Sequence, residues 1–197
     1  MPMDTKIIIL CISAILFLIS AFLVVKKNAF VINLNRTVEA FMKNHESPFV
    51  FNFFSIITKL GDVLGASGII VIIGLFLARN NITFFEIFTL AAGFGVLLPF
   101  VIKLLTRIPR PTLILKDFSF PSGHATISMV FLFSFIFLLI PLVKSEISQY
   151  SIFLTAVTIF PLVALSRIYL SVHWISDVIA GVFLGTICFL SAELLLL

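Results

Sequence analysis

The chain has 197 residues, of which 61% are hydrophobic and only 11% charged, with a formal net charge of +4. Soluble globular domains carry about 25% charged residues, so this composition, with a mean hydropathy of +1.25, excludes a soluble domain and indicates a membrane protein. So small a positive excess gives no reason to expect nucleic-acid binding, and no polar stretch is long enough for a second unit, so residues 1–197 are expected to form one domain.

The first element is Ile7–Val25, nineteen residues without a charge, close to the ~20 needed to cross the hydrocarbon core. No small-x-small cleavage site follows before Lys26-Lys27, so the segment reads as an uncleaved first span. Phe30, Leu34, Val38 and Phe41/Met42 then recur at helical spacing, with Asn33, Arg36, Glu39 and Lys43 between them. This predicts an amphipathic helix, too polar to span, lying in the membrane interface. A second apolar stretch after Pro48 is interrupted by Lys59, Gly61 and Asp62, and Val63–Ala78 completes a second span. Phe84–Ile102 is the third span, and the fourth runs from Gly123 or Ala125 to Val143. Tyr150–Ser166 is the fifth, with Pro161 as a kink, and Val178–Leu197 is the sixth. Short turns at Arg79–Asn81 and Lys144–Gln149, a polar connection Lys103–Pro121 and a polar segment Arg167–Asp177 join them. The fold class is therefore all-α, an integral membrane bundle of six transmembrane helices with an interfacial amphipathic helix, because irregular backbone cannot face lipid. Cys11 and Cys188 lie in apolar runs and read as buried free thiols, with no disulfide or zinc spacing.

Alternation of the spans puts both termini on one side. The first loop, the Lys103–Pro121 connection and the Arg167–Asp177 segment share the other, so residues far apart in sequence converge on one face. His173 and Asp177 are four apart and share a helix face. A carboxylate that accepts one imidazole proton fixes the tautomer and leaves the other nitrogen as a nucleophile. Arg167 brings a guanidinium, whose planar fork matches phosphate oxygens, and Lys103 and Arg110 add two more cations. Phosphoryl transfer needs chiefly positioning and neutralisation of the equatorial oxygens; where no metal does this, fixed cations must. Ser122-Gly123 opens the fourth span, and unpaired N–H groups at a helix start seat a phosphate. His124, beside them, is placed to protonate a leaving group.

Each residue alone has a plainer reading: Lys and Arg as interfacial anchors, Ser122 as a helix cap, a histidine as a structural group. Together these would be six coincidences on one face. Gly181 and Gly185 continue the i, i+4 line from His173 and Asp177 and fit either close helix packing behind the site or generic small-residue packing. Trp174 and Tyr169 fit an interfacial aromatic belt or contact with a lipid headgroup. Arg107 and Lys116 read as solvated loop charges, His45 as structural or exposed, and Glu86 and Glu193 as span-end residues without a functional role. Asp62, beside a glycine at a span start, fits a helix cap.

KLLTRIPRP has the form K-x6-RP, FPSGH contains PSGH, and SRIYLSVHWISD has the form SR-x5-H-x3-D. These resemble the three signature motifs of the type 2 phosphatidic acid phosphatase superfamily, which includes membrane lipid phosphatases and the related vanadium haloperoxidases. With the six-span layout the resemblance covers the chain from about Phe49 onward. It implies that Lys103, Arg110 and Arg167 bind phosphate, with Ser122 and Gly123 as hydroxyl and backbone donors. It implies His173 as the nucleophile that forms a phosphohistidine, His124 as the general acid and Asp177 as the partner of His173. No metal and no cofactor are implied. The implied activity is hydrolysis of the terminal phosphate of a lipid phosphate or diphosphate of the undecaprenyl diphosphate, phosphatidylglycerophosphate or phosphatidic acid type. A phosphotransferase using the same site, or a non-catalytic lipid-binding or transport protein, are the alternatives. The partners implied are the lipid substrate and the bilayer, with no obligate protein partner. Only nine residues, Thr112 to Phe120, separate the first two motifs, short for this family, so no large loop covers the substrate. Ten of thirteen Lys/Arg lie on the motif face, all but Lys6, Arg79 and Lys144, which argues for a cytoplasmic site; the family habit in bacterial cell membranes is an extracytoplasmic one, and that is the expectation adopted.

Overall fold

The computed structural model describes residues 2–112 and 117–197, so Lys116 lies outside the described residues. Among the described residues, six helices are long and apolar enough to cross a membrane. The first, α1 (Met3–Val25), begins four residues before the expected boundary and takes in Lys6. The lysine is admitted because its Nζ lies 2.8 Å from Oε1 of Glu193 in a nearly dry ion pair. A charge inside a span is expensive unless paired, so Glu193 has a structural task that its span-end position did not suggest.

The amphipathic helix is α2 (Ala29–Asn44), started by Asn28, whose side chain accepts from the Phe30 N–H at 3.0 Å. Its apolar residues divide: Val38 and Met42 pack on the protein beside Ala164 and Ile168, while Phe30 and Phe41 are exposed. The stretch after Pro48 forms a separate short helix, α3 (Pro48–Ile57), followed by a single turn Thr58–Leu60. Gly61 and Asp62 break the run before α4 (Val63–Asn80). Helix α5 (Ile82–Thr106) is capped by Asn81, whose side chain accepts from Phe84 N–H at 3.0 Å. Helix α6 (Gly123–Ser134) continues through a π-turn, Phe135–Leu139, and a tight turn to Leu142. Helix α7 (Glu146–Tyr169) runs through Pro161, and α8 (Ile175–Leu196) closes the bundle.

Helix α8 is central, packing on α6, α1 and α5. Lipid tails are as apolar as leucine, so helices in a membrane associate through close packing rather than hydrophobic burial. Two devices supply it. Phe131 stacks between Phe88 and Phe160, and Phe189 contacts Phe133 and Phe137, with ring centroids 5.4–6.5 Å apart. The second is the glycine face of α8. A Cβ on Gly181 would lie 2.6 Å from the Ser122 carbonyl oxygen, and one on Gly185 would collide with the Thr126 carbonyl and Met129. The two glycines thus serve close packing behind the site.

Cys188 is buried as expected, but Cys11 is exposed on the outer surface of α1. An apolar run in a membrane protein satisfies lipid as readily as core, so the run alone did not decide burial. Tyr169 and Trp174 are held by polar contacts: the Tyr169 hydroxyl accepts from Ser47 N–H at 3.0 Å, and Trp174 Nε1 donates to the Pro109 carbonyl at 2.9 Å.

Gly185→Ala is expected to cost about 1–3 kcal/mol, the usual penalty of overpacking, and to lower the thermal midpoint in detergent by several degrees. Gly68→Ala, where an added Cβ meets nothing within 4 Å, is the control and should leave the midpoint in place. Equal midpoints for the two variants would contradict the close α6–α8 contact.

Candidate active site

The site is assembled from the ends of helices. Ser171 takes the left-handed conformation (φ 52°) after α7, which lets the N–H groups of Val172 and His173 both bond the Arg167 carbonyl at 3.1 Å. Such a folded-back helix end satisfies carbonyls that would otherwise be orphaned, and it fixes His173 relative to Arg167. Trp174 then caps α8. Asp177, in the first turn, reaches back so that its Oδ2 accepts from the Trp174 N–H at 2.9 Å. The same oxygen lies 3.4 Å from His173 Nδ1. His173 is 3% exposed and Asp177 fully buried.

The other imidazole nitrogen faces a cation. Arg110 Nη1 is 2.9 Å from His173 Nε2 and donates to the Val172 carbonyl at 2.8 Å. A guanidinium only donates, so Nε2 is the acceptor and Nδ1 carries the proton toward Asp177. Burial, followed by the charge of Arg110, holds His173 well below the ordinary imidazole range. The arrangement is a neutral, dry imidazole with its lone pair aimed at a cationic cluster. Arg110 is held in turn by Asp117, which accepts from Nε and Nη2 at 2.7 Å each. The hydrogen bonds from Arg110 keep the Asp117 carboxyl below its usual range.

The remaining predicted residues gather around this pair. Ser122 N–H donates to the Asp177 carbonyl at 3.0 Å, and the Ser122 hydroxyl oxygen accepts from Ala125 N–H at 3.4 Å as the α6 cap. Ser122 is thus the cap of α6, and its backbone is tied to Asp177. The first N–H groups of a helix have no partners within it, and those of Gly123 and His124 lie at this end of α6. Lys103, in the last turn of α5, lies within electrostatic reach of Arg110, Asp177 and Arg167. Arg167 Nη1 donates to Thr58 Oγ1 at 2.5 Å, and its buried Nε has no hydrogen-bond partner among the described residues. His124 Nε2 lies 2.9 Å from Asp62 Oδ1. All eight residues named from the motifs thus converge at one end of the bundle.

The sequence reading left Asp62 as a possible cap and did not single out Thr58, Asp117 or Ser119. Asp62 makes no side-chain cap bond to α4. Ser119 donates to the Pro109 carbonyl at 3.1 Å and lies beside the Asp177 carboxylate, bracing the connection between the first two motifs. The available signal for Thr58 and Asp62 was alternation, which puts the α3–α4 turn on the motif face. Arg107 ends α5 in a left-handed conformation and bonds Leu104, and His45 bonds the Phe41 carbonyl on the exposed end of α2, so neither joins the site.

The family model described as PAP2 superfamily matches residues 63–194, more than half of the chain. The chain belongs to the PAP2 superfamily. Among solved structures, the chain is similar to a transmembrane PAP2-type phosphatidylglycerolphosphate phosphatase from Bacillus subtilis, with a TM-score of 0.83 and 26% identity over 94% of each chain. It also shares its fold with LpxE from Aquifex aeolicus, at a TM-score of 0.62 and 23% identity over 81% of this chain and 94% of that one. No curated protein sequence matches. The six apolar helices and this likeness make the chain an integral, multi-pass membrane protein with the membrane PAP2 phosphatase fold.

The buried His173 makes a prediction with a definite sign. Its folded value is depressed, so below the ordinary imidazole value of 6.5 the unfolded chain takes up a proton that the folded chain refuses. Its contribution to stability is complete above that value and declines as pH falls beneath it. Thermal midpoints of the wild type should fall between pH 6.5 and 5 relative to those of His173→Gln; parallel curves would show that His173 is not held neutral.

Proposed function

We propose that this protein is a lipid phosphatase that removes the terminal phosphate of a lipid phosphate or diphosphate through a phosphohistidine on His173, without a metal. The observation that carries this reading is the single dry imidazole whose Nδ1 faces Asp177 and whose Nε2 faces Arg110. In the free site Arg110 occupies the Nε2 lone pair. A phosphate bound among Lys103, Arg110 and Arg167 draws the guanidinium donors to its oxygens and frees Nε2 to attack phosphorus in line. Asp177 holds the Nδ1 proton and the charge that develops on the ring. As the N–P bond forms, the bond from phosphorus to the lipid oxygen breaks, and that oxygen takes a proton from His124. Water then attacks the phosphohistidine, returns a proton to His124 and releases inorganic phosphate with Nε2 restored. Ser122 and the N–H groups opening α6 bind the transferring oxygens, where preorganised donors contribute most.

The lipid character of the substrate is supported by a cavity of about 310 Å³ beside His124, lined by Asp62, Ala66, Ile70, Gly95, Val96 and Ile127. It lies beside the leaving-group side of the site between α4, α5 and α6, and its lining residues Val63 and Val96 are exposed on the apolar surface of the bundle. The similar Bacillus subtilis protein is a phosphatidylglycerolphosphate phosphatase, so that lipid heads the substrate panel, with undecaprenyl diphosphate and phosphatidic acid beside it.

Detergent-solubilised protein should release phosphate from at least one of these lipids, keep its turnover in excess EDTA and be inhibited by vanadate, which adopts the trigonal bipyramid of the transition state. With radiolabelled substrate, acid-labile phosphate should appear on the wild type and not on His173→Ala. Loss of turnover in EDTA that magnesium restores would sink the metal-free mechanism.

We also propose that the site opens on the extracytoplasmic face of a bacterial cell membrane with both termini inside. In intact cells a membrane-impermeant maleimide should label Thr112→Cys and spare Asn80→Cys; the reverse pattern would invert the assignment.

A further inference from the structure

We propose that the Gly61-Asp62 turn is the seat of His124, with Asp62 as a positioning residue that holds Nε2 so that Nδ1 alone delivers the proton to the leaving group. This rests on His124 being the general acid. Two separate observations point to the turn. Asp62 stands at the N-cap of α4, where a carboxylate ordinarily accepts from the first turn, yet its side chain makes no such bond. Its Oδ1 instead meets His124 Nε2 at 2.9 Å. Next to it, a Cβ on Gly61 would lie 2.5 Å from His124 Cδ2 and 2.9 Å from Val163 Cγ1. Any other residue at 61 would push the imidazole or the Val163 side chain from its place. The glycine makes the room, and the aspartate fixes the ring within it.

The chemistry follows from what each partner can do. A carboxylate accepts hydrogen bonds and cannot donate them, so Nε2 carries a hydrogen whenever it is bonded to Asp62. In the imidazolium, Nδ1 carries the second proton and gives it to the departing oxygen. Once that proton has gone, Nδ1 is an acceptor, ready to take one from the water that attacks the phosphohistidine. One ring orientation therefore serves both half-reactions. The charged groups that face His124 are Asp62 from the α3–α4 turn, Arg167 from α7 and Lys103 from α5, with His173 beyond them. Asp62 is the negative member of this set. Without it, a proton on His124 would face cations alone. Asp62 also faces Arg167, so a role as counter-ion to that guanidinium is the rival explanation, and the test must separate the two.

Leaving-group dependence does so. A lipid phosphate expels an alkoxide that needs a proton, whereas an activated aryl phosphate departs without one. With Asp62→Ala, the ratio of turnover on the lipid to turnover on the aryl phosphate should fall about 10–100-fold, the usual cost of losing an outer partner. Asp62→Asn, which keeps an accepting oxygen, should recover part of the loss. On the lipid, Asp62→Ala combined with His124→Ala should be no worse than His124→Ala alone, since both remove one function. Equal loss on the two substrates by Asp62→Ala, with His124→Ala still selective for the lipid, would overturn the seat and favour the route through Arg167. Equal loss on both substrates by His124→Ala would overturn the general-acid reading and this role with it. A readout without turnover completes the test: in protein carrying ¹⁵N-histidine, Asp62→Ala should shift the Nε2 resonance of His124, and an unmoved resonance would also overturn the proposal.

Discussion

The geometry of the site depends on how closely α6 can approach α8. At Gly181 and Gly185 the backbone of α6 occupies space that a methyl group would fill. At that separation the Ser122 N–H reaches the Asp177 carbonyl, and the first turns of the two helices become one rigid corner. The corner carries the opening N–H groups of α6 on one side and the His173–Asp177 pair on the other. In lipid, such contact also holds the bundle together, since burial of apolar side chains gains little there. Packing and site formation are thus the same interaction viewed at different depths in the membrane.

Around this corner the guanidinium groups are held in place by protein partners. Arg110 commits Nε and Nη2 to Asp117 and keeps Nη1 turned to His173. Arg167 is tied by Thr58 and retains a buried Nε without a partner among the described residues. An unmade hydrogen bond at a buried donor is costly, about 1–3 kcal/mol, and such costs persist where a ligand repays them. The reading of the site as a phosphate seat gives that donor an occupant. Preorganisation here consists of guanidinium groups fixed by protein partners, Arg110 through all three of its nitrogens and Arg167 with its buried Nε left over.

The sequence made the spans visible because some twenty apolar residues have few alternatives, and alternation put the three motif segments on one face. It did not show that Lys6 belongs inside α1, because the partner that allows it, Glu193, lies at the opposite end of the chain. Nor did it tell lipid from core for Cys11, since hydropathy scores both environments alike. Within the site, spacing identified His173 and Asp177, which are local to one another. Asp117 and Thr58 escaped because their roles consist of holding Arg110 and Arg167, a matter of distances that no local pattern encodes. Asp62 was noticed for its position and given the commonest job of a carboxylate at a helix start. The structure assigns its side chain a different neighbour.

The proposed mechanism gives the two histidines different tasks, and their surroundings differ accordingly. Each is held by an aspartate. His173 is sealed among α2, the first-motif residues Arg110 and Pro111 and the start of α8, and its partner is wholly buried, so its free nitrogen meets the Arg110 guanidinium. The side chain of His124 is 17% exposed and that of Asp62 50% exposed, at the mouth of the cavity between α4 and α5. A nucleophile profits from exclusion of water, which would otherwise solvate its lone pair and compete for phosphorus. A group that passes protons to a departing lipid and from an arriving water must touch the route by which both travel. In the proposed mechanism the dry histidine takes the phosphorus, and the wetter one meets the departing lipid. The turn before α8 and the first turn of α6, which carry them, are tied together by the Ser122–Asp177 bond and the glycine contact beneath it.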